Sequence, residues 1–338
     1  MNTAIIVSSI LGMQAIYVCL WAMLLRGGLR WAGAEHTTTR RVVLAAVLVM
    51  LLQTALWLGT AGLPAATPGA ALFVAGVQLI GAVLIALVVI VRAFHVSFLR
   101  AFLAWLPTLL VPVVMLAVSV FVFRPFVAEA FVTNANSMAP TLLGRYSEVS
   151  CPECGAPAFG SGDPDQLRWP GPKPIICSRY HVAEVAHPGG PVLGPDRFLA
   201  AKFLKPRRWD LVVFRPPHEP ATLHVMRLVG LPGEEITIRD GKVWADGRML
   251  PVPAGLEGIE YVAYLPEFQR EAWGAPARPA RLADDEYFVL GDFSLRAYDS
   301  RLWSETGTGG SPFALPASDV HGVVTHIYWP PGRWRAFR

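Results

Sequence analysis

Phe123–Leu143 reads FRPFVAEAFVTNANSMAPTLL, and it marks the point where the chain changes character. Its first residues close a long apolar run. A short extended segment comes next and leads into a serine-bearing turn, Ser137-Met138-Ala139-Pro140-Thr141. Before this stretch the chain is mostly long apolar runs; after it the sequence is rich in Pro and Gly, with strand-like alternation. At 338 residues, 53% hydrophobic and mean hydropathy +0.42, the chain is too apolar for an ordinary soluble protein. The sharp break predicts a membrane part followed by a water-soluble part.

Working back from Phe123, four runs are long enough to cross a hydrocarbon core of ~30 Å as helices: Ala4–Leu25, Val42–Leu63, Ala70–Val91 and Leu103–Phe123. None carries a charge, and none has the amphipathic period of a buried core helix. Pro107 and Pro112 are expected to kink the fourth, which lipid-embedded helices tolerate. The first connecting loop holds Arg26, Arg30, Arg40 and Arg41 and the third holds Arg92 and Arg100, whereas Pro64–Gly69 has no charge. Loops one and three are therefore expected in the cytoplasm and both termini outside. Met1–Thr3 lacks the basic residue of a cleavable signal peptide. This predicts a multi-pass protein embedded in the lipid bilayer, with its C-terminal domain on the periplasmic or extracellular side. The net charge of +4 owes much to the loop arginines, and no basic stripe interleaved with aromatics occurs, so no nucleic-acid partner is expected.

Working forward, Asp210–Phe214, His224–Val229, Glu235–Ile238, Lys242–Ala245, Tyr287–Leu290 and Gly322–Tyr328 read as strands. Asp240-Gly241 and Asp246-Gly247 read as hairpin turns. No long amphipathic helix interrupts them, so residues 124–149 and 194–338 predict a mainly β, antiparallel outer domain. Residues 150–193 and about Pro253–Arg281 read as turn-rich insertions.

Four blocks resemble bacterial type I signal peptidases, the membrane serine proteases that remove signal peptides. They are Phe123–Leu143 with its Ser-Met-x-Pro-Thr box, Gly194–Phe214 (GPDRFLAAKFLKPRRWDLVVF), Met226–Glu234 (MRLVGLPGE) and Tyr287–Trp303 (YFVLGDFSLRAYDSRLW). The closing THIYWPPGRW is similar to the family's last strand. The resemblance implies a partly open β-barrel after the helices and a bacterial cytoplasmic membrane as the location.

It also assigns site residues, unevenly. The family activates its serine with a buried, neutral lysine, because a serine hydroxyl needs a base within hydrogen-bond reach. Ser137 holds the nucleophile position, but the lysine position is Met226, whose thioether takes no proton. The serine that orients the lysine is Ala297, and the oxyanion serine two before the nucleophile is Ala135. Scaffold positions remain: Arg227, Asp292, Asp299 and Arg301, the last two implied to pair behind the site. His224 lies on the Met226 side of its strand, about 7 Å away, and is a candidate base or an ordinary surface or core histidine.

Cys151-Pro-Glu-Cys154-Gly reads as a zinc knuckle, and Cys177 with His181 completes a Cys₃His set across 22 residues. Four protein ligands leave no open position, so this would be one structural zinc, with no cofactor for catalysis. A disulfide is the alternative on an oxidising face. Three functions are compatible with these residues: an endopeptidase, weak or inactive, acting on signal peptides of exported preproteins; an inactive binder of signal peptides or membrane-protein segments in the same groove; or a structural membrane protein.

Overall fold

The structure, a computed structural model, describes residues 2–34, 37–61, 68–164, 168, 171–265, 270–304 and 310–337. It divides into two compact units, Met1–Val122 and Phe123–Arg338. In the first, α1 (Asn2–Trp31), α2 (Thr39–Ala61) and α3 (Pro68–Phe94) are continuous. α1 outruns the expected Ala4–Leu25, because Leu25 and Leu29 are both fully buried and arginine is a good helix former. Arg26 and Arg30 therefore lie on the helix and not in a loop. The uncharged second loop falls largely outside the described residues.

The expected fourth helix, Leu103–Phe123, is longer and broken. It runs as α4 (Phe98–Trp105), a 3₁₀ turn over Leu106–Leu109, α5 (Leu110–Val118) and a π-helical stretch over Ser119–Val127. Pro107 and Pro112, which lack the N–H that an α ladder needs, bracket the junction, and Pro125 sits in the π stretch. Among the described residues, three helical spans are long and apolar enough to cross a membrane: Thr39–Ala61, Gly69–Phe94 and Phe98–Val127, with mean hydropathies of 2.3, 2.8 and 2.5. Large apolar side chains face outward, Leu72 at 74% and Phe73 at 70% exposure, as expected for helices solvated by lipid. The interior packs Leu25, Leu29, Ile90 and Phe94 with several alanines, and a glycine and side-chain amides join the helices. A Cβ on Gly28 would lie 2.1 Å from the Ala104 carbonyl oxygen, so glycine is what lets α1 and α4 approach. Gln78 Nε2 donates to Thr60 Oγ1 at 2.8 Å, linking α3 to α2.

Among the described residues, the second unit holds eighteen strands. β1 (Ala128–Val132) is followed by the insert strands β2 (Tyr146–Ser150), β3 (Pro157–Ser161), β4 (Lys173–Cys177) and β5 (Val182–Val185). Then come β6 (Arg197–Ala201), β7 (Leu211–Phe214), β8 (His224–Gly230), β9 (Glu235–Arg239), β10 (Lys242–Ala245) and β11 (Arg248–Met249). β12 (Tyr264–Leu265), β13 (Arg270–Glu271) and β14 (Ala280–Arg281) are short. β15 (Glu286–Leu290), β16 (Leu315–Pro316), β17 (Val320–Trp329) and β18 (Arg335–Ala336) close the chain. The main sheet is ordered β1-β6-β17-β7-β8-β15-β16, with β18 on β17 and every pair antiparallel. This is a multi-pass α-helical region followed by a mainly β, partly open barrel. β9, β10 and β11 form a meander turned by Asp240-Gly241 and Asp246-Gly247, all four at positive φ, the geometry of tight hairpins. The insert is its own four-stranded sheet, β2-β3-β4-β5, and it starts at Tyr146, ahead of the expected position 150. Its first strand has no alternation to announce it: Tyr146 and Ser147 are both buried.

Candidate functional site

Ser137 lies in the turn after β1, half-buried, with its carbonyl accepting the Phe293 N–H at 2.9 Å. The turn is pinned at both ends. Leu142 N–H donates to Met138 O at 2.9 Å, Leu143 N–H to Asp196 Oδ2 at 2.8 Å and Gly144 N–H to Asn136 Oδ1 at 2.9 Å. Gly291, at the end of β15, approaches from the other side. A Cβ there would lie 2.3 Å from Ala297 Cβ and 2.8 Å from Ser137 O, so only glycine permits these three segments to meet. Ala297 thus packs beside the Ser137 backbone. Among the described residues, no hydrogen bond is made by the Ser137 hydroxyl.

A groove of about 400 Å³ opens over this turn, lined by Thr133, Ala135, Ser137, Glu219, His224 and Met226. β8 brings His224 and Met226 to it on one face, and Met226, 3% exposed, sinks into an apolar cluster with Met138, Leu142 and Trp303. At that position the chain supplies no proton acceptor. His224 is half-buried, with Nε2 at 3.6 Å from Glu219 Oε2. Burial pushes the His224 imidazole below its ordinary value and Glu219 only partly counters this, so the ring is mostly neutral at pH 7.

The scaffold residues form two buried ion pairs. Arg227, the residue after Met226, donates from Nε to Asp292 Oδ1 at 2.7 Å and from Nη2 to Asp292 Oδ2 at 2.5 Å. Burial alone would lower its guanidinium, but Asp292 more than offsets this and holds it above the usual range. Asp292 also accepts from the Thr141 hydroxyl. Asp299 receives Arg301 through Nε at 2.8 Å and Nη2 at 2.7 Å, plus the Gly291 N–H at 2.9 Å. Arg301 directs its remaining donors to Val262 O, Ser294 Oγ and Ser294 O, so nothing in the pair is left unsatisfied.

In the insert, Cys151, Cys154, Cys177 and His181 come together, their ligand atoms all within 4.8 Å of one another. Cys154 Sγ is 3.9 Å from Cys177 Sγ, and Cys151 Sγ is 4.0 Å from His181 Nδ1, which also faces Glu153 Oε2 at 3.6 Å. None of the cysteines is in a disulfide, and Cys19 is on α1.

Three residues of this region had no sequence signal. Glu219 lies in a loop ahead of β8. Thr133, 4% exposed, lines the groove, and its hydroxyl has no partner among the described residues. Tyr180 reads as a spacer between two metal-ligand types, yet its hydroxyl lies 3.2 Å from Thr141 Oγ1.

The serine turn thus meets the Gly291-Asp292 segment within a partly open barrel. The profile described as "Signal peptidase, peptidase S26" matches residues 103–329, and the chain belongs to that family. Among curated relatives, a probable signal peptidase I-2 of Synechocystis is 33% identical over 133 residues, covering 38% of this chain and 50% of that one. The signal peptidase I of Leptolyngbya laminosa is 28% identical over 149 residues, covering 41% and 62%. That of Rickettsia bellii is 36% identical over 121 residues, covering 29% and 41%. The chain thus spans about half the length of these relatives. A solved signal peptidase I from Enterococcus faecalis aligns at 26% identity over 36% of this chain and 98% of that one, with a TM-score of 0.26.

Proposed function

We propose that this chain is a signal peptidase I-like endopeptidase of the bacterial cytoplasmic membrane whose groove receives signal peptides of exported preproteins and whose cleavage is weak or absent. The carrying observation is Met226: the base position beside Ser137 is a buried thioether among Met138, Leu142 and Trp303. Family membership supports signal-peptide handling, and the preserved Arg227–Asp292 and Asp299–Arg301 pairs support an intact groove. A second reading, binding without cleavage, is favoured by the same residue together with Ala297 and Ala135. His224 is the one imidazole lining the groove among the described residues, and with Glu219 beside it is the base that would carry residual turnover. The experiment is incubation of the purified full chain with a preprotein bearing an Ala-x-Ala site, with Ser137→Ala as control. Absent or very slow processing supports the proposal. Ordinary rapid turnover that Ser137→Ala abolishes would refute it.

We read the insert as a structural zinc site. Tetrahedral Zn–S bonds of about 2.3 Å give sulfur–sulfur edges of about 3.8 Å, and the 3.9 Å separation of Cys154 and Cys177 fits that edge. Metal analysis of the full chain should give about one zinc per chain, and Cys154→Ser should lose it and loosen the insert, because the ion supplies that segment's folding energy. A metal-free protein with a Cys151–Cys154 disulfide would sink this reading.

A further inference from the structure

We propose that Tyr180 ties the metal knuckle of the insert to the Ser137 turn, so that loading the metal orders both walls of the groove; the inference rests on the zinc reading above. The connection starts in the knuckle itself. Tyr180 stands between Cys177 and His181 at φ +69°, a conformation that bulky side chains rarely adopt. Tyr180 N–H donates to Cys177 O at 2.9 Å, Cys177 N–H to His181 O at 2.9 Å, and Arg179 N–H reaches Cys177 Sγ at 3.3 Å. This is a tight loop whose two ends are both metal ligands, and an ion shared by the ends would lock it.

The Tyr180 side chain leaves the insert. Its ring is buried in the barrel's apolar cluster with Ala139 and Leu143, residues of the Ser137 turn. Its hydroxyl meets Thr141, whose own hydroxyl hydrogen goes to Asp292. Thr141 Oγ1 therefore accepts, and Tyr180 is the donor. Asp292 holds Arg227, and Arg227 is the β8 neighbour of Met226, three residues beyond His224. One phenol thus reaches the nucleophile side of the groove through Thr141 and the β8 side through Asp292. The knuckle is seated by backbone contact as well: a Cβ on Gly258 would lie 2.3 Å from Arg179 O, so the 253–261 loop fits against it only with glycine there.

Tyr180 is in these terms a positioning residue, acting on the groove through Thr141. The two-state element is the knuckle, closed when Cys177 and His181 share an ion and released when they do not. The test uses the full chain in detergent micelles with its zinc content measured, and follows amide hydrogen exchange before and after chelation. The reporters are the Leu142 and Leu143 amides, with β9 and β10 as an internal reference. Chelation should speed exchange at both reporters about five- to tenfold, the size of one net hydrogen bond, and leave β9 and β10 unchanged. Zinc-loaded Tyr180→Phe keeps the ring and its packing. It should retain zinc yet already exchange at the faster rate, with no further rise on chelation. Zinc release that leaves both reporters unchanged would overturn the coupling while the zinc reading stood. A Tyr180→Phe variant with wild-type exchange would do the same. A chain that never held zinc would remove the zinc reading and the coupling together.

Discussion

Asp299 and Arg301 are both completely shielded from solvent, and each exhausts the other's hydrogen-bonding capacity with help from Gly291, Val262 and Ser294. A buried pair of this kind stabilises little relative to an apolar core, but breaking it leaves an uncompensated charge. Asp299→Asn should therefore cost about 3–5 kcal/mol and weaken the hold on the Gly291 N–H. Denaturant melts of the purified protein measure this; a loss under about 1 kcal/mol would mean that water reaches the guanidinium. On the proposed reading of the site, this pair and Met226 are held by different constraints. The scaffold is kept by packing, because each member would be orphaned without its partner. Met226 carries no such constraint: its thioether fills an apolar site and strands no polar group.

At the level of elements, β1, β6 and β17 lie side by side, and Glu129, Lys202 and His321 meet across them. Lys202 Nζ is 2.8 Å from Glu129 Oε2, and His321 Nε2 is 2.8 Å from the same oxygen. Burial alone would raise the Glu129 carboxyl, but hydrogen bonds from Lys202, His321 and Arg124 draw it down to about 2, from an ordinary 4.5. A carboxyl held low in the fold stabilises it fully above its unfolded value and loses that contribution as pH falls toward the folded one. Glu129→Gln should therefore lower the melting temperature at pH 7, and the gap to wild type should narrow as pH falls from about 4.5 to about 2. A gap independent of pH would show that the cluster acts by packing and not by charge. None of this cluster was visible in the sequence, because three strands far apart in the chain must first be aligned. Strands with a clear alternating or apolar run, such as β7, β8 and β10, were legible, and so were the hairpins with their Asp-Gly turns. Two-residue strands such as β16 and β18 are too short to carry a period. The serine turn, Met226 and Ala297 were legible as positions because each lies inside an uninterrupted block, with no gap between Met226 and the residues after it; the roles proposed for them rest on the resemblance. Tyr180 and Glu219 were not, since their contacts come from loops that no periodicity describes.

At the scale of the whole molecule, an apolar helical unit precedes, along the chain, a barrel with a filled core. Helices that bury Leu25, Leu29, Ile90 and Phe94 with Ala86, Ala101 and Ala104 still expose Leu72, Phe73 and Phe121, an apolar exterior that fits lipid. The proposed orientation rests on Arg26, Arg30, Arg40, Arg41, Arg92 and Arg100, and a reporter fused after Phe123 should be active only outside the cytoplasm. Reporter activity in the cytoplasm would reverse the arrangement. The central claim, an intact scaffold that has lost its base, is tested most directly by rebuilding the site and measuring preprotein cleavage. General-base assistance contributes about 10²–10⁴-fold and an oxyanion donor about 10²–10³-fold, without simple multiplication. Met226→Lys alone should recover little, because Ala297 offers the new ammonium no hydrogen bond. Met226→Lys with Ala297→Ser and Ala135→Ser should raise Ser137-dependent cleavage at least about 10²-fold over wild type. A wild-type rate already equal to that of the triple variant, and abolished by Ser137→Ala, would contradict the account.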